Sequence, residues 1–597
     1  MYRPEYPRPN LVRAQWMNLN GEWDFEFDDN NVGLKEKWQK PSRKYSKKIN
    51  VPFAFQTILS GINDTSFHDY VWYKRKVRIP GEWAEKRVIL NFGAVDYRCK
   101  VFINGEMVGE HEGGNVGFSF DITDYLNLEE EDITVYVEDP STDETIPRGK
   151  QFWQEKSESI WYTRTTGIWQ TVWLEPVNDI NLQYIRFTTD IDKGNVAVEF
   201  ESSKLLEGLQ AAIEVSFKGE VVAFETSAVI EKYNSKTVDI FNKKIFRTFN
   251  HNTGWCWTPE EPNLFDVNIK LFKDCETYDK IDTYFGMRKV HIENGIVYLN
   301  NRPYYQKLVL DQGYWIKGLL TAPEDENFIT DIKLSKEMGF NGCRKHQKVE
   351  DPRFLYWADK LGYLVWGEMA SSTEYSNAAA ERLTREWMEV VNRDYNHPCI
   401  VTWVPLNESW GVPMIGSDKV QQSHSLGLYY LLHSLDNTRL VVSNDGWELT
   451  KTDICAVHNY NHGTQEQKDK YNYFVESLKT KEDILASKSA GRKVYAEGFK
   501  NEGEPILLTE FGGIAYDTKS PNGWGYTLAA TEEEFLSDYE RVVDAVLASD
   551  VIYGFCYTQL TDVEQEVNGL LTYDRKPKCS LDKIKKINSK WRKNIIK

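Results

Sequence analysis

Two β-sandwiches followed by a (β/α)8 TIM barrel is the fold class that this sequence of 597 residues predicts. Three observations carry it. Residues 1–180 read as short strands of alternating polarity divided by turn residues. Residues 181–288 repeat that texture in a smaller unit. After "FGMRKVHIENG" apolar runs begin to alternate with helical patterns. The first two textures belong to antiparallel sandwiches, the third to a parallel sheet with crossover helices. Such a length exceeds a single hydrophobic core and calls for several domains.

The elements follow in order. "VWYKRKVRIP" (71–80), "KRVILNFGAV" (86–95) and "GIWQTVWLEPV" (167–177) alternate with period two, and "INGEMVG" places Asn104 and Gly105 at a hairpin turn. No long helix is expected before residue 180, so 1–180 reads as a jelly-roll sandwich. In 181–288, "GNVAVEFESS", "AAIEVSFKG" and "NLFDVNIKLF" are spaced as in an immunoglobulin-like sandwich, without its Cys–Trp–Cys framework. From 289 to 597, eight candidate barrel strands occur at 304–311, 340–346, 364–369, 400–408, 439–445, 454–460, 506–512 and 551–560. Helical patterns separate several of them. In "EDPRFLYWADKLG", Asp351 can cap, Pro352 takes the first turn, Phe354, Ala358 and Leu361 share a face, and Gly362 ends the helix. "TEEEFLSDYERVVDAVL" opens with Thr531 and Glu534 at capping-box spacing and turns Phe535, Tyr539, Val542 and Val546 to one side.

Composition narrows the function. Asp and Glu number 90 against 72 Lys and Arg, a net charge of −18, which disfavours a nucleic-acid partner. No apolar run of about 18 residues occurs, so no membrane span is expected. The N-terminus lacks the apolar stretch of a secretory signal. The 8 cysteines (Cys99, Cys256, Cys275, Cys343, Cys399, Cys455, Cys556 and Cys579) form no CxxC pair and no zinc spacing. Reduced, mostly buried thiols and a cytoplasmic location are the expectation. The 20 Trp suit sugar rings, whose C–H faces stack on aromatic faces, although large β-sandwich cores use the same residues.

A TIM barrel gathers its functional residues at the C-terminal ends of its strands. Those ends carry Asp311, Arg344, His346, Glu368, Asn407, Glu408, Asp445, His458, Tyr460 and Glu510. Glu408 ends the fourth strand in "VPLNESWG" and Glu510 the seventh in "ILLTEFGG", and these strands stand across the barrel axis. Two facing carboxyl groups are what glycosidic cleavage needs. One donates a proton to the leaving oxygen, and the other is ionised to attack carbon or activate water. His458 and His462 lie four apart in "HNYNH", but the segment lacks a helical pattern, so no metal site is expected there. Trp524, in the loop "SPNGWGY", is a candidate sugar platform.

These segments resemble glycoside hydrolase family 2, the family of β-galactosidases, β-glucuronidases and β-mannosidases. "LNES" and "TEFGG" resemble its two glutamate motifs, and "GIWQTVWLEPV" the close of its sugar-binding jelly roll. "WTPEEPNLFDVNI" resembles the end of its immunoglobulin-like domain, and "GFNGCRKHQKVEDPRFLYWADKLGYLVWGE" its second and third barrel units. The resemblance implies that Glu408 is the acid/base, Glu510 the nucleophile, and Asn407 the partner of the sugar 2-hydroxyl. Tyr460 is implied as a hydrogen-bond partner of the nucleophile and Arg344 as the arginine deep on the second strand. His346 is one place off the family's histidine, where this chain has Gln347, and Asp311 takes the place of strand-one residues that bind sugar hydroxyls. β-Glucuronidases of the family carry Asn-x-Lys where "EVNGLLTYDRKPK" puts Glu566 and Asn568, so the uronate-binding lysine is missing. The metal ligands of the large bacterial β-galactosidases are not matched, so neither metal nor cofactor is expected.

The expected function is thus a retaining exo-β-glycosidase for terminal neutral sugars, β-D-galactosides foremost. A β-glucuronidase or an α-L-arabinosidase of the same family is the alternative, and a catalytically silent carbohydrate-binding protein is the reading from another class. The expected partner is a glycoside or oligosaccharide, with homo-oligomerisation left open.

Overall fold

The computed structural model describes residues 3–127, 129–241, 254–516 and 523–590. In the first third of the chain, two antiparallel sheets face each other. One pairs Met17–Asn18, Val172–Val177, Arg87–Phe92 and Phe118–Asp121. The other orders Lys47–Val51, Gly21–Phe27, Tyr70–Arg78, Glu130–Glu138, Arg98–Ile103 and Glu106–Glu112. Alternation puts Trp23, Phe25, Val71, Tyr73, Leu90, Val101, Val135 and Leu174 between the sheets as one core. The hairpin at Asn104 and Gly105 forms as expected, with φ of 53° and 89°. Positive φ at both central residues is what a two-residue turn between twisted strands requires.

The second sandwich packs a three-stranded sheet (Leu182–Asp190, Asn195–Ser202, Tyr233–Asp239) on a four-stranded one. The latter orders Glu220–Ala228, Gln210–Phe217, Phe265–Lys273 and Glu276–Phe285. Phe187, Val198, Ile213, Phe265, Ile269 and Phe285 fill the space between them. A small sheet over residues 290–303 then turns Val290, Val297 and Leu299 into the barrel core.

All eight expected barrel strands form, at Gln306–Asp311, Gly342–Lys345, Leu364–Glu368, Ile400–Val404, Leu440–Val441, Cys455–His458, Ile506–Gly512 and Ile552–Thr558. Their order in the sheet is fifth, fourth, third, second, first, eighth, seventh, sixth, with every described pair parallel. The fifth strand is far shorter than its apolar run. It meets the sixth beyond its end, where the His458 N–H donates to the Gly446 carbonyl at 3.3 Å. The connection between these two strands, 442–454, is a loop, whereas the other connections carry helices.

Both helices anticipated in detail are present. Asp351 caps Pro352–Leu361 by accepting from the Arg353 N–H, and Gly362 closes it with φ of 72°. Thr531 caps Glu532–Ala548 through the Glu534 N–H, and Phe535, Tyr539, Val542 and Val546 are buried. Among the eight cysteines, Cys275 alone is exposed, and all eight are free thiols. No described helix is long and apolar enough to cross a membrane.

Candidate active site

The fourth strand runs apolar and buried from Ile400 to Val404 and then leaves its ladder. Glu408 and Ser409 follow in the left-handed region, with φ of 52° and 63°. Two consecutive non-glycine residues there cost on the order of 1–3 kcal/mol each and persist only where surrounding bonds hold them. The Glu408 N–H donates to the Asp445 carbonyl at 2.9 Å, and the Ser409 N–H donates to Asn444 Oδ1 at 2.9 Å. This turn lays the Glu408 carboxyl over the barrel mouth, where it keeps partial exposure, while Asn407 is buried beneath it.

Arg344 stands at the centre of the barrel with no solvent exposure. Its Nε donates to Glu368 Oε1 at 2.7 Å and lies 3.1 Å from Asp445 Oδ2. Its two terminal nitrogens donate to Glu510 Oε1 and to Asn407 Oδ1, each at 3.0 Å. One guanidinium therefore ties the tips of the third, fourth, fifth and seventh strands, a task suited to its fixed fork of donors. Asn407 Nδ2 is left buried without a partner.

His458 joins the two glutamates. Its Nδ1 lies 2.8 Å from Glu408 Oε1 and 3.4 Å from Glu510 Oε2, and its Nε2 lies 3.1 Å from Asp445 Oδ1. Burial by itself would lower the imidazole's pKa. Glu510 and the bonds to Asp445 and Glu408 outweigh it and raise the pKa to about 10. Glu510 answers in the opposite sense. Burial would push its carboxyl up, but His458, Arg344, His346 and the Tyr460 hydroxyl bring it down to about 2. The Tyr460 hydroxyl donates to Glu510 Oε2 at 2.7 Å and lies 2.8 Å from Thr558 Oγ1. His346 Nδ1 is 3.1 Å from Glu368 Oε2 and 3.9 Å from Glu510 Oε1.

The structure thus brings Glu408, Glu510, Asn407, Tyr460, Arg344 and His346 together. Trp524 stands beside them, its ring 5.1 Å from that of Tyr526, which in turn stacks on Tyr460 at 3.5 Å and 2°.

Two expected positions fall outside the cluster. Asp311 does not face the mouth: its carboxylate pairs with Lys345 at 2.6 Å, and Lys345 lies over Phe354 of the surrounding helix layer. The reason is parity. Arg344 points inward, so its neighbour Lys345 points outward, and Asp311 is the register partner of Lys345. Asn568 is wholly buried with its amide already engaged, donating to Glu566 Oε1 at 3.0 Å and accepting from Gln559 Nε2 at 2.6 Å. It backs the site instead of lining it.

His462 turns away from His458, its ring nitrogens 3.0 and 2.8 Å from the Gly463 and Gly512 carbonyls. The donor atoms of Glu408, His458 and Glu510 do lie within 4.8 Å of one another, close enough to invite a cation. The raised pKa of the His458 imidazole favours its protonated form, which puts a positive charge between the two carboxyl groups.

The mouth is completed by the jelly roll, which the reading of barrel strand ends could not reach. Trp161 packs edge-on against Trp410 with centroids 4.8 Å apart, and the Tyr162 hydroxyl donates to Glu566 Oε2 at 2.5 Å. The Thr163 N–H donates to Glu564 Oε2 at 2.9 Å, and Gln565 Nε2 donates to the Ser159 and Trp161 carbonyls. The cluster thus holds the Glu510 carboxyl ionised by its cationic neighbours, with the carboxyl of Glu408, more exposed, beside it.

Comparison with known proteins agrees with this architecture. Residues 16–175 match the model of the glycosyl hydrolases family 2 sugar binding domain, residues 180–288 that of glycosyl hydrolases family 2, and residues 290–592 that of its TIM barrel domain. A β-galactosidase of Thermoanaerobacter pseudethanolicus is 27% identical over 405 residues, 66% of this chain and 50% of that protein. The chain spans about half the length of that relative. It spans 97% of the β-glucuronidase of Streptococcus agalactiae, at 22% identity over 97% of its own length. Among solved structures, a Ruminococcus gnavus β-glucuronidase in complex with D-glucuronic acid superposes with a TM-score of 0.77. That match covers 98% of this chain and 100% of that one, at 18% identity, and it speaks to the fold.

Proposed function

The chain belongs to glycoside hydrolase family 2, and from that premise we propose that it is a retaining exo-β-glycosidase releasing terminal neutral sugars, β-D-galactose foremost. The observation that carries the reading is the pair Glu408 and Glu510, whose carboxyl oxygens come within 4.8 Å of each other around His458. A retaining mechanism needs its two carboxyl groups about 5–5.5 Å apart, whereas inversion needs about 6.5–9.5 Å for an intervening water. In this reading Glu510, ionised down to about pH 2, attacks the anomeric carbon. Glu408 protonates the leaving oxygen and then deprotonates the water that releases the sugar. Asn407 Nδ2, unpartnered at the base of the site, donates to the oxygen of the sugar 2-hydroxyl.

The neutral glycone rests on the resemblance: where β-glucuronidases of the family carry Asn-x-Lys, this chain has Glu566 and Asn568, so the uronate-binding lysine is missing. A second reading, a β-glucuronidase, draws support from the match along the whole Streptococcus agalactiae enzyme. One experiment tests both levels. A 2-deoxy-2-fluoro-β-galactoside is expected to label Glu510, and nitrophenyl β-galactoside or α-L-arabinopyranoside should be cleaved with higher kcat/KM than nitrophenyl β-glucuronide. Labelling of Glu408 reverses the two roles, and a glucuronide preference replaces the glycone.

A further inference from the structure

We infer that Lys150, a residue of the jelly roll, is a glycone-binding residue of the barrel site, and that Glu566 balances its charge so that the pair reads hydroxyl groups of a neutral sugar. The inference rests on the glycosidase reading above and deepens it.

Lys150 is only 6% exposed, yet among the described residues its ammonium makes no hydrogen bond and no ion pair. Its Nζ lies 5.3 Å from the Trp161 ring centroid and 5.9 Å from that of Tyr162. Trp161 packs on Trp410, two residues past Glu408, and the Tyr162 hydroxyl holds Glu566. Lys150 therefore sits between the two aromatic residues that connect the jelly roll to the reacting end of the site. The Nζ keeps some contact with solvent but faces no protein acceptor in a largely dewatered position, and cation–π contacts offset only part of the cost of that placement. A ligand rich in hydroxyl oxygens supplies the missing acceptors.

The surroundings agree. Lys150 shares a cavity of about 10 Å³, room for one water, with His346, Gln347 and Tyr314. Both amide atoms of Gln347 and the Tyr314 hydroxyl are buried without partners. Burial lowers the Lys150 pKa, while Glu566, then Glu408, Glu510 and Glu368, favour its charged form. The chain is also shaped for this approach. Gly149 has φ of +60°, and a Cβ there would lie 2.2 Å from the Gln347 carbonyl oxygen, so only glycine lets the loop reach the barrel at this point. Its N–H donates to the Ser371 carbonyl at 3.0 Å. A uronate at this place would meet Lys150 already matched by Glu566, whereas neutral hydroxyl groups can accept from the ammonium and donate to the carboxylate together.

The test uses Lys150→Met, which keeps the stem and removes the charge, and compares it with the wild-type enzyme. Both are treated with 2,4-dinitrophenyl 2-deoxy-2-fluoro-β-galactoside and assayed on nitrophenyl β-galactoside and its 3-, 4- and 6-deoxy analogues. Loss of a charge-assisted hydrogen bond is expected to lower kcat/KM about a hundredfold and to slow labelling of Glu510 at least about tenfold. One deoxy analogue should be poor for the wild type but cost Lys150→Met nothing further, since the two changes remove the same contact. Lys150→Met within about threefold of wild type in turnover and labelling, or equally impaired on every analogue, overturns the inference. An unlabelled wild type instead refutes the retaining-galactosidase reading, so the two failures are distinct. Should Lys150→Met not fold, Glu566→Gln serves. By unmasking the ammonium it should raise the ratio of glucuronide to galactoside kcat/KM by about tenfold or more, and an unchanged ratio overturns the charge balance.

Discussion

His458 Nδ1 lies 2.8 Å from Glu408 Oε1, and the same nitrogen is 3.4 Å from Glu510 Oε2. One imidazolium thus stands between the proposed acid/base and the proposed nucleophile, and its other nitrogen is fixed by Asp445. Its charge is what most strongly offsets the burial of Glu510. His458→Gln is therefore expected to raise the Glu510 pKa by about 1–3 units, as removal of an adjacent opposite charge does in a dry site. The acid limb of kcat/KM should move up from about 2 by that amount, read from the pH dependence of Glu510 labelling. The stability sign runs the other way. The folded-state pKa of His458 is raised from 6.5 to about 10, so its contribution is full below 6.5 and is lost as pH rises through 10. The gap in denaturation midpoint between wild type and His458→Gln should narrow across that window. An unmoved acid limb with a constant gap would show that His458 is neutral in the native state.

Much of this site was legible because a parallel barrel converts sequence into position. An apolar run that stops on a polar residue marks the mouth, and Glu408, Glu510, Arg344 and Tyr460 were found that way. Asp311 was misplaced by the same logic, since strand ends tell height along the barrel but not which way a side chain points. The pairing of Asp311 with Lys345 reverses the assignment. Lys150, Trp161 and Tyr162 were invisible for another reason. They reach the barrel from a different domain, with Tyr162 and Glu566 separated by 404 residues, and no local periodicity encodes such a contact. The apolar run before Asp445 marked the fifth strand's place but not its brevity, because its continuous ladder ends after Val441 and pairing with the fourth strand resumes only at the isolated Asn407–Asp445 bridge.

Glu408→Ala is expected to separate substrates by their leaving groups. General-acid assistance contributes about 10²–10⁴-fold where the departing oxygen needs a proton and little where it does not. A dinitrophenyl glycoside should therefore retain turnover through glycosylation while a methyl or alkyl glycoside loses it. Azide, small enough to enter the space left by the side chain, should accelerate turnover and yield a β-glycosyl azide. Uniform loss on both substrates with no azide product would remove Glu408 from the acid/base role.

Metal removal should leave the enzyme active. Glu408, His458 and Glu510 have donor atoms within 4.8 Å of each other, but a metal ion would need a ring nitrogen of His458 free of its proton. With a pKa of about 10, His458 keeps that proton at neutral pH and already supplies the positive charge between the carboxylates. Exhaustive dialysis against EDTA is expected to change kcat/KM by less than about twofold on this argument. A large loss restored by one divalent ion would make the trio a metal centre and replace the imidazolium account.

The last prediction concerns the joint between jelly roll and barrel. Glu386, buried on the helix Asn377–Asp394, accepts from the Asn115 N–H at 3.1 Å and from Asn115 Nδ2 at 2.7 Å with one oxygen, and its other oxygen has no partner. Burial raises its pKa from 4.5 to about 7 against the lowering effect of those two bonds. A folded-state pKa above the unfolded value means that the group's contribution is full below 4.5 and is lost as pH rises through about 7. Glu386→Gln keeps an oxygen for Asn115 and replaces the unpartnered oxygen with a neutral amide, so it carries no such loss. The variant is expected to match or trail wild type near pH 4.5 and to gain on it up to neutrality. The difference should level off above about pH 7 at an order of 2–3 kcal/mol. Denaturation midpoints of both proteins at pH 5, 6, 7 and 8 check it. A difference that stays constant across this range would mean that Glu386 titrates alike in the folded and unfolded chains, and that the contact with Asn115 is not under proton control.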